Sequence, residues 1–107
     1  MSTYQVTEED IQEMARRIAA EVDPIKVILF GSRADGSARK GSDVDLLVVQ
    51  QDPVKEREEA ARLRRLLRDF RLPIDIVVVG QAFADRYWDI PGSVLYPAFR
   101  EGRVLYG

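Results

Sequence analysis

The stretch IKVILFGSRADGSARKGSDVDLLVV, residues 25–49, decides the fold. It contains two short runs of branched apolar residues, 25–30 and 44–49, separated by a small, polar, glycine-rich segment. Apolar runs of this length are typical of strands that are buried on most of their surface. The segment between them leaves room for one short helix starting near Ser32. The stretch therefore predicts two strands of a buried sheet with a compact polar connection.

The flanking sequence completes an α/β pattern. Thr7, followed by three acidic residues, is typical of a capped helix start, and apolar residues then recur at helical spacing. A second amphipathic segment and a third apolar run follow residue 49. The predicted elements are helix 7–23, strand 25–30, a short helix from 32, strand 44–49, helix 54–71, strand 74–79, helices 81–90 and 93–100, and an extended tail 104–106. This order predicts a single domain over residues 1–107, with a small mixed sheet of three or four strands and flanking helices.

The strand order can be inferred further from the connections. The second and third strands are separated by a full helix, which is the spacing of a parallel, right-handed crossover. Parallel strands begin at the same edge of a sheet. We therefore expect Asp45, at the start of the second strand, to lie beside Asp75, at the start of the third.

Composition excludes several kinds of chemistry. Among 107 residues, 46% are hydrophobic and 32% are charged, as in globular proteins. There is no cysteine and no histidine, so thiolate chemistry, histidine bases and typical zinc sites are excluded. The net charge of −2 argues against a broad nucleic-acid-binding surface. No apolar run is long enough for a membrane span and no secretion signal is recognisable, so we expect a cytoplasmic protein.

Three aspartates are the candidate metal ligands. Asp43 and Asp45 are two positions apart at a strand start, so their side chains share one face of the sheet. Asp75 would add a third carboxylate to that face. Clustered oxygen ligands without histidine or cysteine favour magnesium or manganese, and three of them could hold a pair of ions. The alternative is structural: aspartates cap turns and start strands, and a buried Asp75 could pair with an arginine.

A turn directly after the first strand is the candidate phosphate site. Gly31 permits close backbone approach, and the next residues open a helix whose free N–H groups, with the Ser32 hydroxyl, attract anions. Arg33, Arg39 and Lys40 could neutralise phosphate charge. The alternatives are a tight turn with a serine cap and solvated surface charges. If phosphates at the end of strand one touch cations at the start of strand two, these two strands must be antiparallel.

Together these residues resemble a known family. Gly31-Ser32, followed across a glycine-bearing loop by Ser42-Asp43-x-Asp45-Leu46, is similar to the signature of the DNA polymerase β-like nucleotidyltransferase superfamily, and Asp75 matches its third carboxylate. Because almost nothing in the sequence extends beyond this core, it is also similar to the minimal nucleotidyltransferases, the MntA-like antitoxins that are commonly paired with HEPN-domain toxins. The family loop commonly reads Gly-Ser-x-Ala-Arg-Gly, whereas this chain has Asp35 where the arginine often stands.

The resemblance implies the DNA polymerase β-like nucleotidyltransferase fold and a reaction. The expected activity is transfer of a nucleoside monophosphate, most often AMP from ATP, to an acceptor hydroxyl with release of pyrophosphate. Asp43, Asp45 and Asp75 would be the catalytic residues and would bind two Mg²⁺ ions, with Mn²⁺ as an alternative. Gly31, Ser32, Arg33 and Ser42 would contact the nucleotide phosphates. Asp75 would also help to deprotonate the acceptor.

The acceptor is the open question, since little sequence remains after Val79 to bind one. The resemblance implies a HEPN-domain partner, modified by this chain as its antitoxin. The alternatives are a small-molecule, antibiotic-type nucleotidyltransferase and an inactive module that masks a partner; a homodimer is also open. The aromatic residues among 87–99 could form a partner surface or cover the sheet, and the arginines of the long helix predict a solvated face rather than a nucleic-acid site.

Overall fold

The computed structural model describes residues 6–39 and 41–107, which contain both helices and strands. The elements are α1 Glu8–Val22, β1 Lys26–Phe30, α2 Ser32–Asp35, β2 Val44–Gln50, α3 Glu56–Leu66, a 3-10 turn Arg68–Phe70, β3 Ile74–Gly80, α4 Gln81–Tyr87, α5 Leu95–Glu101 and β4 Arg103–Tyr106. The mixed α/β fold predicted from the sequence is confirmed.

The four strands form one sheet in the order β3-β2-β1-β4. The central strands β1 and β2 are antiparallel, whereas β2 and β3 are parallel and joined through α3. Both predicted strand relations are thus confirmed. The tail after α5 becomes the antiparallel edge strand β4 alongside β1, so the sheet has four strands rather than three.

Helix α1 begins where the sequence predicts it. The Thr7 hydroxyl accepts a hydrogen bond from the Asp10 N–H at 3.0 Å, and the Asp10 carboxylate accepts one from the Thr7 N–H at 3.1 Å. This reciprocal capping box satisfies two backbone donors that the first helical turn leaves free. The helix ends at Val22, and Asp23 adopts a left-handed conformation before the chain enters β1.

The sheet has two apolar faces because β1, β2 and β3 are hydrophobic at nearly every position. Val27, Leu29, Leu46 and Val48 belong to the larger core, which α1 and α3 cover. The alternate residues, among them Ile28, Leu47 and Val49, pack under the shorter helices α4 and α5. Asp45 alternates with Leu46 and therefore lies on the face of Leu47, the face that only short helices cover.

The amphipathic segment after β2 is shorter as a helix than its pattern predicts. Helix α3 begins at Glu56 rather than near Val54, and the chain tightens into a 3-10 turn at Arg68. Arg71 then adopts a left-handed conformation, which turns the chain into β3. Hydrophobic spacing did not reveal this ending, because Leu67 and Phe70 still face the core in the tighter turn. None of the helices in the described residues has the length and apolar character needed to cross a membrane.

Candidate active site

Strand register brings two of the three predicted carboxylates side by side. Asp45 pairs with Asp75 in the parallel β2–β3 ladder. Neighbouring strands are about 4.8 Å apart, so the two carboxyl groups project from the same face as close neighbours. Asp43 precedes β2 by one residue and completes the group. Asp43 and Asp75 are exposed, whereas Asp45 is half-buried between them and β1.

The electrostatics of Asp45 reflect this crowding. Its pKa is raised above the ordinary aspartate value, first by burial and then by the negative charges of Asp75 and Asp43. Both causes disfavour the ionised form. Among the described residues, none of the three carboxylates has a hydrogen-bond or ion-pair partner that would offset this repulsion. The cluster is therefore a site of uncompensated negative charge.

Gly31 lies directly against Asp45. It adopts a φ of +73°, in the region that favours glycine, and a side-chain carbon added to it would collide with the Asp45 carboxylate. Register explains the contact, since Phe30 at the end of β1 pairs with Asp45 at the start of β2. The turn that begins α2 and the carboxylate group thus meet at one end of the sheet.

The first turn of α2 offers backbone donors at this place. The first hydrogen bond of the turn runs from the Ala34 N–H to the Gly31 carbonyl at 3.0 Å. The N–H groups of Ser32 and Arg33 precede that bond, so they have no acceptor within the helix. Such groups, together with the half-buried Ser32 hydroxyl, are suited to an anion such as phosphate.

Arg33 and Ser42 contact each other across the loop. The Arg33 guanidinium donates from Nη2 to the Ser42 carbonyl at 2.7 Å, which ties α2 to the residue before Asp43. Arg33 Nε is buried without a partner in the described residues, so one donor remains for a further acceptor. The Ser42 hydroxyl accepts from the Arg39 N–H at 2.8 Å. Lys40, another predicted phosphate contact, lies outside the described residues.

Asp35 has a local structural role. Its carboxylate accepts hydrogen bonds from the Ser37 N–H at 2.8 Å and the Ser37 hydroxyl at 2.6 Å. These bonds lower the pKa of Asp35, the hydroxyl bond having the larger effect. The side chain thus stabilises the turn that ends α2.

The three aspartates fit a hard divalent cation by their chemistry. All their ligand atoms are oxygens, and the charge that raises the pKa of Asp45 is the charge that a cation would neutralise. Over residues 6–39 and 41–107, no three acidic, histidine or cysteine side chains converge closely enough to form a ready-made metal site. Repulsion between like charges favours such separation, and side-chain rotation would bring the oxygens together around an ion.

One neighbour of this group was missed in the sequence. Phe30 is half-buried and lies on the face of Asp45, directly beside it in the antiparallel ladder. The sequence predicted Phe30 only as the last residue of a buried strand. Pairing the residues of the two antiparallel strands one by one, starting from the Gly31 turn, would have placed Phe30 opposite Asp45.

The fold and this carboxylate–glycine arrangement together define a class of protein. A family model described as a nucleotidyltransferase domain matches residues 11–94. The matched segment contains the glycine turn and all three aspartates. The chain therefore belongs to the nucleotidyltransferase domain family. A search of curated proteins finds no significant match.

Solved structures share the fold at low sequence identity. A candidate nucleotidyltransferase from Sulfolobus solfataricus is 20% identical, with a TM-score of 0.57, and the match covers 90% of this chain and 76% of that one. A toxin–antitoxin complex, an MntA–HpeT mutant with two aspartates changed to glutamate, is 22% identical with a TM-score of 0.53; the match covers 95% of this chain and 74% of that one. These similarities support the nucleotidyltransferase fold for the whole arrangement of helices and strands.

The contact between Gly31 and Asp45 can be tested with matched glycine variants. Gly31→Ala should destabilise the fold by about 2–3 kcal/mol, because it combines a strained backbone with a collision against the carboxylate. Gly36→Ala also has a positive φ but meets open space, so it should cost only about 1 kcal/mol. Urea unfolding of both variants measures the difference. Equal losses would show that Asp45 does not lie against the turn.

The crowding of Asp45 predicts a stabilising mutation. A pKa raised by folding means that ionised Asp45 opposes folding, and this penalty grows as pH rises from the ordinary carboxyl pKa through the raised one. Asp45→Asn should therefore increase Tm at pH 7 in metal-free buffer by a few degrees, since about 1 kcal/mol shifts Tm by roughly 4–8 °C in a domain of this size.

The pH dependence and a control sharpen the same test. Below about pH 3, where Asp45 is mostly protonated in the folded and unfolded chain alike, the gain should vanish. Asp35→Asn should give no gain, because folding lowers the pKa of Asp35 through its bonds to Ser37. Thermal unfolding followed by circular dichroism measures each variant. A lower Tm for Asp45→Asn at pH 7 would contradict the repulsion.

Proposed function

We propose that this chain is an active, metal-dependent nucleotidyltransferase of the cytoplasm, which moves AMP, or another nucleoside monophosphate, from an NTP to an acceptor hydroxyl. The observation that carries the proposal is the register that sets Asp45 beside Asp75 and against the Gly31 turn. An anion site and a cluster of carboxylates then share one end of the sheet. Family membership supports the same reaction class.

Each part of the site has a role in this proposal. Asp43, Asp45 and Asp75 would hold two Mg²⁺ ions, or Mn²⁺, which supply charge neutralisation for the phosphates. The free N–H groups at the start of α2 and the Ser32 hydroxyl would bind phosphate oxygens. Arg33 would support that turn from Ser42, and its free Nε donor is a further phosphate contact.

The reaction requires little covalent chemistry from the protein. The acceptor oxygen forms a bond to the α-phosphorus while the bond from that phosphorus to the β-phosphate oxygen breaks, and pyrophosphate leaves. Asp75, the exposed carboxylate at the start of an edge strand, would accept the hydroxyl proton. The chain therefore acts mainly by positioning and by charge complementarity, which explains how it can work without histidine.

We further propose that the acceptor hydroxyl belongs to a partner protein of the HEPN type and that the chain is the antitoxin of that pair. The MntA–HpeT neighbour is a toxin–antitoxin complex, and the two aspartates changed in it are two positions apart, as are Asp43 and Asp45. Large exposed side chains occur on α4 and in the segment between α4 and α5, and they would suit such a partner. This α4–α5 surface consists of Phe83, Trp88, Ile90 and Val94, which are 43–54% exposed.

The other aromatic residues of this region have a different position. Tyr87 and Phe99 are partly buried against the second core cluster, and the Phe83 and Tyr87 rings are 4.7 Å apart. The two interpretations of the aromatic segment thus apply to different residues. Part of it covers the sheet, and part of it is left at the surface, where it supports the proposed partner contact.

Transfer is tested by incubating the chain with α-labelled ATP, Mg²⁺ and a candidate HEPN protein encoded beside it. Label should appear on the partner, and Asp43→Asn, Asp45→Asn or Asp75→Asn should each reduce the rate by about a hundredfold or more. Asp85→Asn, an exposed aspartate of α4, is the matched control and should keep full activity. Chelation of the metal should abolish labelling.

Other outcomes distinguish the alternatives. Label on an aminoglycoside but not on the protein would favour a small-molecule transferase. A variant in which all three aspartates are replaced could still neutralise the toxin without labelling it. This result would favour a masking module. Either result would overturn the proposed protein modification.

The partner contact is tested by Trp88→Ala. Exposed tryptophans are frequent hot spots of interfaces, so we expect a tenfold to hundredfold loss of affinity, of roughly 1.4–2.7 kcal/mol, measured by titration calorimetry. Stability should change little, because Trp88 is 45% exposed and the centre of its ring is 6.3 Å from that of the Phe99 ring. Val104→Ala on β4, 53% exposed, is the control. Equal affinity of both variants would exclude the α4–α5 surface from the interface.

A further inference from the structure

Strand β3 has one edge without a partner. In the described part of the chain it pairs with β2 on one side and is the last strand of the sheet on the other. The Pro73 carbonyl accepts from the Val44 N–H at 3.0 Å, so it faces β2. Backbone groups of successive strand residues alternate in direction, and those of Ile74, Ile76 and Val78 must face outward. An edge of this length and apolar character is a template for another strand.

Three arginines lie on α3, the helix that packs on β3, and in the turn after it. Arg57 and Arg64 are seven residues apart and therefore share one flank of α3, and Arg68 begins the 3-10 turn that follows the helix. All three are exposed, and none has an ion-pair partner in the described residues. These three residues form the basic flank.

The opposite flank of α3 shows the contrast. Arg62 forms an ion pair with Glu21 of α1 at 2.7 Å, and Arg17 of α1 forms one with Asp69 at 2.7 Å. That flank is therefore joined to α1. Helix α3 packs on β3, the edge strand, and Arg62 on its other flank faces α1. We infer that the basic flank lies on the side of α3 that is turned away from α1, toward the free edge of the sheet.

We propose that the free edge of β3 binds an extended acidic segment of the acceptor protein as an additional strand. The inference rests on the proposed transfer to a protein and names how the acceptor reaches the site. Main-chain hydrogen bonds to the outward groups of β3 would hold the segment, and the basic flank would select its acidic side chains.

The spacing of the basic flank fits such a strand. Arg57 and Arg64 are about 10 Å apart along the axis of α3, and acids at the first and fifth positions of a strand are about 13 Å apart. A long arginine side chain spans this difference. Acids at these two positions would therefore each meet a guanidinium.

The other face of the added strand would present the acceptor. Side chains between the acids point to the opposite face, which is the face of Asp45 and Asp75. A residue beside the start of β3 on that face would lie next to Asp75, the proposed proton acceptor. The expected segment thus alternates acids with other residues, one of which carries the hydroxyl.

Two other occupants fit less well. A second copy that paired through β3 by a two-fold axis would bring two basic flanks together, and their like charges would repel. A single-stranded RNA would match the charge but has no main-chain amides to pair with the outward groups of β3. The free backbone edge and the basic flank together favour an acidic peptide.

The test uses the whole chain and a labelled nine-residue peptide in which glutamate alternates with valine and the central valine is replaced by tyrosine. Fluorescence anisotropy should show at least about tenfold tighter binding than for a peptide with lysine in place of glutamate. Arg64→Gln with Arg68→Gln should weaken binding about threefold to tenfold, whereas Arg65→Gln with Arg86→Gln, the exposed control, should change it less than twofold.

Methylated peptides test the strand addition itself. N-methylation of all glutamates or of all valines blocks opposite edges of the peptide, so one set should abolish binding and the other should retain it. Equal binding of both sets would overturn the proposal. The proposal would also be overturned if the peptide bound the Arg64/Arg68 variant as tightly as the unmodified chain. Displacement of the peptide by a tighter-binding single-stranded RNA would overturn it too.

The outcome is separable from that of the proposed reaction. Peptide that binds by these criteria but takes no label from ATP and Mg²⁺ supports strand addition and counts against transfer to protein hydroxyls. A toxin that is labelled at the same rate by the Arg64/Arg68 variant supports the transfer and overturns the role of the β3 edge.

Discussion

The arrangement depends on the register that holds Asp45 between the Gly31 backbone and Asp75. A slip of one residue in β2 would exchange its two faces and drive the Asp45 carboxylate into the core beneath α1 and α3, where Val44 and Leu46 are fully buried. Burying an unpaired charge there would cost several kilocalories per mole. The same aspartate that is proposed for catalysis therefore also enforces the pairing that builds its site.

This constraint has an energetic consequence for the fold. Three neighbouring carboxylates that have no neutralising partner among residues 6–39 and 41–107 oppose folding, and the raised pKa of Asp45 reflects that opposition. The rest of the chain offsets it by apolar burial on both faces of the sheet and by local features such as the capping box of α1. A group of like charges that is maintained against its own repulsion is typical of a functional site rather than of a structural one.

One face of the sheet contributes mainly to stability, and the other carries the candidate site. Helices α1 and α3 cover one face fully, whereas α4 and α5 are each seven residues long and leave the carboxylates at the margin of the other face. Nothing in the described residues closes over Asp43 and Asp75, which are exposed. In the proposed reaction the acceptor reaches these exposed carboxylates from another molecule, and the α4–α5 surface and the free β3 edge are the surfaces proposed to bind it.

The sequence by itself determined most of the fold. The hydrophobic pattern located α1, the first three strands and α3. The presence of a helix between β2 and β3 predicted that these strands are parallel. The expected position of the phosphates beside the metal ions predicted that β1 and β2 are antiparallel. These are local or topological properties, which is why they could be read from one chain. The sequence was less informative about the end of α3, because a 3-10 turn retains the same apolar spacing, and about β4, whose pairing depends on residues some 75 positions away.

The sequence predicted which residues belong to the candidate site but not how they contact one another. Asp43, Asp45, Asp75 and Gly31 were recognisable from their residue types and positions relative to the strands. Only the tertiary structure decided that Gly31 touches Asp45, that Phe30 borders the group and that Arg33 donates to the Ser42 carbonyl. It also decided that β3, on which α3 packs, is the edge strand of the sheet. Such contacts join residues that are distant in sequence or on different elements, and they follow from strand register and helix placement, which are set by packing of the whole core rather than by any local pattern.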